Sequence, residues 1–386
     1  MKLLLRTLAL ASVMACLFPP LAKAQTAIEI GGQSVVRLHR PATNKEVPEF
    51  TGVEVAPGRG MEILQITGNF PGKGSINVLA SPGPAAAAKM ITQHDDALGL
   101  MSLGIGAAFL IPYPNRVRGN LTADKQSITT EWHGHTLILP VSPWGKPDAE
   151  RPAAHGLIFK ATANDVQVKS IPDGEQVTAV IHAGDFGGHW LSKTDLEFTI
   201  RLTGDAVDIT VDAHNVGNVA EPMAIGWHPG FTLPSGDRTQ VRVHIPGSGV
   251  AEVENSDNLF PTGKITPVVG TQYDFRARGG VPLGKNSYDD NWSKLEWKGG
   301  HAIVRVIDPA ANYGLNVEAL SPAIKTIQMY AQPAMPMVAI EPQFNFVDPF
   351  GKEWGAIDTG MATLAPGQST TWHVRLGLFD PRSFIE

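Results

Sequence analysis

The residues from Leu196 to Ala213 constrain the fold more than any other stretch. Leu196, Phe198, Ile200 and Leu202 alternate with polar residues, and Gly204-Asp205 then breaks the run. Val207, Ile209, Val211 and Ala213 resume it, with Asp208, Thr210, Asp212 and His214 between them. A period of two puts one set of side chains on each face of a strand, and a Gly-Asp turn between two such runs closes a hairpin. At roughly 3.3 Å per residue each arm exceeds ~20 Å, so a broad sheet with one buried face is required, its polar set turned to water. Val241, Val243 and Ile245 repeat the alternation, as do Trp372, Val374, Leu376 and Leu378. Ile303 to Ile307 is apolar except for Arg305, as expected of a more central strand.

The 40 glycines and 30 prolines in 386 residues exceed the ~12 % usual for soluble domains, and they punctuate short strand-like runs instead of forming a low-complexity tract. No stretch of ten residues in the second half has a helical period. The expected fold is all-β, a large antiparallel β-sandwich with few short helices. With no internal repeat and no linker, 25–386 reads as a single domain. Its least readable part is 26–101, with strands expected at Ser34–Leu38, Glu62–Ile66 and Ser75–Leu79 and a short helix at Ala85–His94.

Met1 to Ala24 has the pattern of a secretory leader: Lys2 and Arg6, an apolar run from Leu8 to Leu17, and the small-x-small site Ala22-Lys23-Ala24. The expected location is periplasmic. A lipoprotein acylated at Cys16 is the second choice, because Met14 suits such a site poorly. Cys16 is the only cysteine, which leaves the remainder without disulfides, thiolate metal sites or a cysteine nucleophile. No run is long enough to span a bilayer as a helix. The formal net charge is −6, and losing Lys2, Arg6 and Lys23 makes the chain more acidic still. That balance gives no electrostatic reason to seek nucleic acid or anionic lipid, and a neutral small-molecule partner is easier to accommodate.

Five short motifs hold residue types that do chemistry. In Trp227-His228-Pro229-Gly230-Phe231 the proline pushes His228 toward an extended backbone and the glycine permits close approach. The competing reading is a satisfied core histidine. Pro114-Asn115-Arg116 offers side chains that fix a polyol by several hydrogen bonds, or else a turn with a surface arginine. His155-Gly156 opens an apolar run and can set an imidazole at a sheet rim. Tyr288-Asp289-Asp290-Asn291-Trp292 places carboxylates between aromatic rings, which suits a sugar or an Asp-rich turn. Glu341 ends an apolar strand before Pro342-Gln343, where a carboxylate is costly unless paired and burial would raise its pKa toward that of a base; a strand-end glutamate reaching solvent is the alternative.

Taken in chain order, Pro-Asn-Arg, His-Gly, Trp-His-Pro-x-Phe, aromatic-Asp-x-Asn-aromatic and Glu-Pro-Gln resemble the aldose 1-epimerase (galactose mutarotase) family, from about Gly104 to Leu378. The resemblance implies a β-supersandwich that binds a free aldose in an open cleft and interconverts its anomers, with no metal or cofactor. It implies Glu341 as general base, His228 as general acid and His155 as the second active-site histidine. Asn115, Arg116 and Asp289 become substrate-holding residues. This chain departs from the family in having Gly230 where a bulky residue is commoner and Asp290 where a histidine is frequent. Its Gln328 also looks displaced from the family's sugar-binding glutamine. Two other functions fit the same pattern: a non-catalytic carbohydrate-binding or glycan-processing accessory protein, and a hexose-6-phosphate 1-epimerase using Arg118, Lys146 or Arg151. The pairs His133/His135 and His182/His189 suggest metal ligation, but neither has an obvious third ligand. Oligomeric state is not legible in the sequence.

Overall fold

A computed structural model describes residues 27–143, 150–255 and 259–384. The leader expected at 1–24, with Cys16, and Lys146 lie outside the described residues. Two large antiparallel sheets dominate. The first has nine strands in the order Asn164–Ile171, Gly174–Gly184, Thr194–Leu202, Ala206–Asn215, Ser369–Phe379, Tyr313–Ala319, Ala302–Asp308, Arg242–His244 and Val281–Pro282. The second runs Pro261–Pro267, Gly247–Val253, Tyr288–Leu295, Thr326–Ala331, Met337–Gln343, Gly226–His228 and Ala108–Leu110, with Gly230–Thr232 also paired to Met337–Gln343. The fold is the expected all-β one, a large antiparallel sandwich with few short helices.

The hairpin that anchors the sequence argument forms in the register its period demands. Leu196 opposes Ala213, Phe198 opposes Val211, and Ile200 opposes Ile209. Its two faces separate as expected, the apolar set buried and Asp208, Thr210, Asp212 and His214 on the more accessible face, where they are partly shielded. Side chains of the paired neighbouring strand supply part of that shielding: Asp208 accepts from Arg375 Nε at 3.0 Å and lies 3.2 Å from His373 Nε2.

The inner faces of both sheets share one apolar core. Trp372, from the nine-stranded sheet, packs edge-on against Phe109 and Trp227 of the other, and its Nε1 donates to the Pro342 carbonyl at 3.1 Å. Burying such a ring removes 150–250 Å² from water, on the order of 4–6 kcal/mol. The strand that carries Glu341 is therefore held from behind by the opposite sheet.

The least readable segment folds into a four-stranded sheet of Val36–His39, Glu49–Ala56, Glu62–Phe70 and Gly74–Asn77. The expected strands are present with shifted ends, because the apolar alternation was too short to mark them. The sheet is tied to both larger ones: Phe50 N donates to the Gly204 carbonyl, and Ala80 N to that of Gly230. The short helix forms at Pro84–His94, with proline in its first turn where no amide hydrogen is needed.

Candidate active site

Strand register assembles the site. Gly226 pairs with Gln343 and Gly230 with Ala339, the same register on either side of Pro229, so His228 lies opposite Glu341. Glu341 pairs in turn with Gln328, and Gln328 with Asn291. Asn291, Gln328, Glu341 and His228 thus form one cross-strand row on one face. Asp289, Tyr330, Ala339 and Gly230 form the next row. The alternate residues Trp227, Phe231 and Ile340 go into the core.

The remaining groups come from two loops that pair locally. Arg116 pairs with Ala154, and His155 N donates to the Asn115 carbonyl at 2.8 Å. Asn115 and His155 both adopt left-handed backbone, φ 62° and 63°, which is uncommon outside glycine and typical of binding sites. Gly156, φ 80°, follows so closely on the Ile111 carbonyl that a Cβ would collide with it.

Asn115, Arg116, His155, His228, Asp289, Gln328, Tyr330, Glu341 and Leu103 together line a cavity of about 310 Å³. That is at the lower end of the roughly 300–1,000 Å³ usual for small-molecule sites. All six residues picked out for catalysis or substrate holding meet there. His228 Nε2 is 3.4 Å from Glu341 Oε1, and the rings of His155 and His228 meet edge-to-face at 5.4 Å.

Around them runs a polar network. Gln343 Nε2 donates to Glu341 Oε2 at 2.9 Å. Gln328 Nε2 donates to Asp289 Oδ1 at 2.7 Å, while its Oε1 accepts from Asn115 and Asn291. Arg116 reaches Asp289 Oδ2 at 3.2 Å and Asn115 Oδ1 at 3.2 Å.

Glu341 is only 2 % exposed. Burial, reinforced by the Asp289 charge, holds its carboxyl well above the ordinary carboxylate range, and Gln343 and Arg116 pull the other way. Burial draws His228 down to about 4, although a backbone hydrogen bond and Asp289 favour its charged form. His155 is also pushed well below its ordinary value, by burial and then by His228 and Arg116. Asp290 is raised to about 6 by burial. It does not line the cavity but turns back onto the Asp289 amide, whose N–H it accepts at 3.1 Å.

Four useful residues were not assigned a role from the sequence. Gln328, which looked displaced, lies at the centre of the network. Tyr330 is two residues further along the same strand and Gln343 two beyond Glu341, so period two would have placed each beside a known partner. Leu103 comes from the short helix Ser102–Ile105 and had no signal. Space for Gly230 is taken by Met337, whose side chain lies where a Cβ would go.

The other histidines go elsewhere. His133 stacks on Trp132, His182 pairs with Asp195 at 2.9 Å, and His189 Nδ1 contacts the Ile138 carbonyl. Among the described residues no three His, Cys, Asp or Glu side chains converge as metal ligands, and no helix is long and apolar enough to cross a membrane. Arg118 is held by Glu254 at 2.7 Å and Glu150 at 3.0 Å.

The aldose 1-epimerase family model matches residues 97–377. A galactose mutarotase-like protein from Clostridium acetobutylicum superposes with a TM-score of 0.71 at 17 % identity, over 91 % of this chain and 97 % of the other. Galactose 1-epimerase from Lactobacillus acidophilus NCFM gives 0.61 at 15 % identity, over 90 % and 99 %. At such identities these structures show a shared fold. An uncharacterized protein, YphB, of Escherichia coli (strain K12) is 24 % identical over 273 residues, 69 % of this chain and 81 % of its own. With its ordered motifs inside the matched region, this chain belongs to the aldose 1-epimerase family.

Proposed function

We propose that the protein is an exported aldose 1-epimerase, which interconverts the α and β anomers of a free aldose by acid/base opening and reclosure of the ring. The observation that carries this reading is the His228–Glu341 pair, 3.4 Å apart at the base of a polar cavity.

Ring opening removes a proton from the anomeric hydroxyl and delivers one to the ring oxygen as C1–O5 breaks. Glu341, as carboxylate, takes the first, and His228, as imidazolium, gives the second. The open-chain aldehyde then faces a carboxylic acid and a neutral imidazole, the protonation states that burial favours for both groups. After rotation about C1–C2 the protons return and the ring closes on its other face. Arg116 favours the carboxylate and Asp289 the imidazolium, so both charged forms needed for the ring-closed sugar have support. His155, kept neutral, hydrogen-bonds near the ring oxygen and steadies the developing charge. Asn115, Arg116 and Asp289 hold sugar hydroxyls, joined by Gln328.

Polarimetry on freshly dissolved α-glucose and α-galactose tests the proposal. The expected result is equilibration faster than in buffer. Saturable sugar binding by calorimetry with no acceleration on any aldose of a common panel would favour a carbohydrate-binding accessory role. Faster turnover of a hexose 6-phosphate than of the free sugar would favour the phosphate-specific reading, although Arg118 is already occupied by two carboxylates. Periplasmic export belongs to the same proposal and rests on the residue pattern of 1–24. Amino-terminal sequencing of the secreted form should begin at Gln25.

A further inference from the structure

The loop that carries Arg116 is held along both of its edges. On one, the two-residue strand Arg116–Val117 pairs with Ala153–Ala154. Along the other lies the chain that runs on from the Glu341 strand. There Asn345 Nδ2 donates to the Pro114 carbonyl at 3.1 Å, and Asp348 N donates to the Arg116 carbonyl at 2.7 Å. Asp348 Oδ1 then accepts from Arg118 N at 3.0 Å. The carbonyl of one residue and the amide of the next but one point to the same side of an extended chain, where a parallel neighbour would engage both. Asp348 engages both, and its side chain stands in for a main-chain carbonyl.

Its own main-chain carbonyl is committed elsewhere, to Gly351 N at 3.0 Å and to Trp354 Nε1 at 3.0 Å. Its backbone is left-handed, φ 50°, a conformation in which Asp and Asn are enriched. Asp348 is 1 % exposed and does not line the active-site cavity. Burial pushes its carboxyl up to about 8, opposed by the Arg118 amide and reinforced by Glu353. Oδ1 accepts a hydrogen bond whether that carboxyl is charged or neutral.

What the clamp delivers is a guanidinium. The fork of Arg116 bridges Asn115 Oδ1 and Asp289 Oδ2, each at 3.2 Å. From there its charge joins Gln343 in opposing the effect of burial at Glu341, while Asp289 acts in the other direction. A charge does this only while its position is fixed, and the main chain beneath Arg116 is fixed on one edge by a residue that never meets the sugar.

We propose that Asp348 is a positioning residue for Arg116: it fixes the main chain on either side of Val117 and so holds the guanidinium in place between Asn115 and Asp289. The kinetic consequence rests on the epimerase reading above; the structural one does not. The test uses the full chain and the variants Asp348→Gly, Asp348→Asn, Arg116→Gln and the double variant of Asp348→Gly with Arg116→Gln. Polarimetry gives kcat and KM, and carboxyl-carbon NMR follows the titration of Glu341. Glycine adopts left-handed backbone without strain, so Asp348→Gly removes the acceptor and leaves the turn free to form.

Asp348→Gly should lower kcat by roughly ten- to a hundredfold, the scale of a misplaced group in a site, and move the Glu341 midpoint upward, toward that of Arg116→Gln. Asp348→Asn, with the same acceptor oxygen, should keep both at wild-type values. The double variant should match Arg116→Gln alone, because the two residues act in series. A lower melting temperature in Asp348→Gly with kcat and the Glu341 midpoint unchanged would reduce Asp348 to a structural role and overturn the proposal. So would a double variant whose loss is the product of the single losses. Arg116→Gln leaves Asp348 intact, so an unchanged Glu341 midpoint in that variant overturns the proposal even where Asp348→Gly does not fold. A wild type that accelerates no aldose refutes the epimerase reading, and the titration still decides the role of Asp348.

Discussion

Replacing Glu341 by glutamine separates chemistry from structure at the centre of the candidate site. The substitution keeps the side chain's shape, and its amide can still meet Gln343, which now holds Glu341 Oε2 at 2.9 Å. What disappears is the ability to exchange a proton with the sugar and with His228, 3.4 Å away. General-base catalysis contributes ~10²–10⁴-fold, about 3–5 kcal/mol of barrier, and a loss of that size is expected in kcat/KM by polarimetry. Stability should move the other way. A carboxyl whose folded pKa lies well above 4.5 contributes stability that is present below its unfolded pKa and is lost as pH rises through the folded value. Glutamine has no such loss, so at pH 8 the variant should melt at or above the wild-type temperature. Activity within tenfold of wild type would remove Glu341 from the mechanism. A large fall in melting temperature at pH 8 would instead make it a structural anchor, and the argument from burial would be wrong.

Three further outcomes are expected. His228→Asn should lower kcat/KM by roughly 10²-fold, and the double variant with Glu341→Gln should be little worse than the poorer single one, because residues acting as one proton-transfer unit are non-additive. Gly156→Ala should cost about 2–4 kcal/mol in urea denaturation, since it combines φ +80° with a Cβ driven onto the Ile111 carbonyl; unchanged stability would show that the loop can shift. Glu62→Gln tests a buried carboxyl that burial pushes up to about 8. Its stabilising effect should be absent below pH 4.5, grow as pH rises through 8 and level off at no more than about 4–5 kcal/mol, and a pH-independent difference between variant and wild type would contradict the assignment.

Period-two alternation was enough to give the fold class, the long hairpin and the strands that flank it. The candidate site residues come instead from five ordered motifs and the family they resemble, since a histidine before proline or a glutamate in an apolar strand leaves a structural reading open when taken alone. What the spacing withheld was adjacency. Nothing in the spacing of Asn291, Gln328, Glu341 and His228 says that four strands align them in one row; that depends on register across Pro229 and on the strand order of the whole sheet. From spacing alone Gln328 therefore looks displaced, and Tyr330 gives no sign of lining the site. Leu103 was illegible for a different reason: it arrives on a four-residue helix, too short to have a periodic signature. Alternation gives the two faces of the long hairpin, but not the cross-strand pairing of Asp208 with Arg375 and His373 that partly shields the polar one.

The same register that brings Glu341 and His228 together also sets their electrostatics. A cross-strand pair on one sheet face cannot move apart without breaking the ladder, so any covering loop desolvates both groups at once. The loops bearing Asn115 and His155 provide that cover, and they also deliver Arg116, whose fork bridges Asp289 and Asn115. Burial alone would leave a carboxylic acid beside a neutral imidazole. Arg116 and Gln343 bias Glu341 toward carboxylate and Asp289 biases His228 toward imidazolium, while the same Asp289 charge also favours the carboxylic acid at Glu341. At Glu341 the neutral form that burial favours is thereby opposed by Arg116 and Gln343. A reversible reaction that takes a proton at one oxygen and returns one at another needs such opposition, since an acid and a base fixed in either arrangement would run only half of the cycle. Removing Arg116 should consequently slow opening and closure together, instead of merely loosening the hold on the sugar.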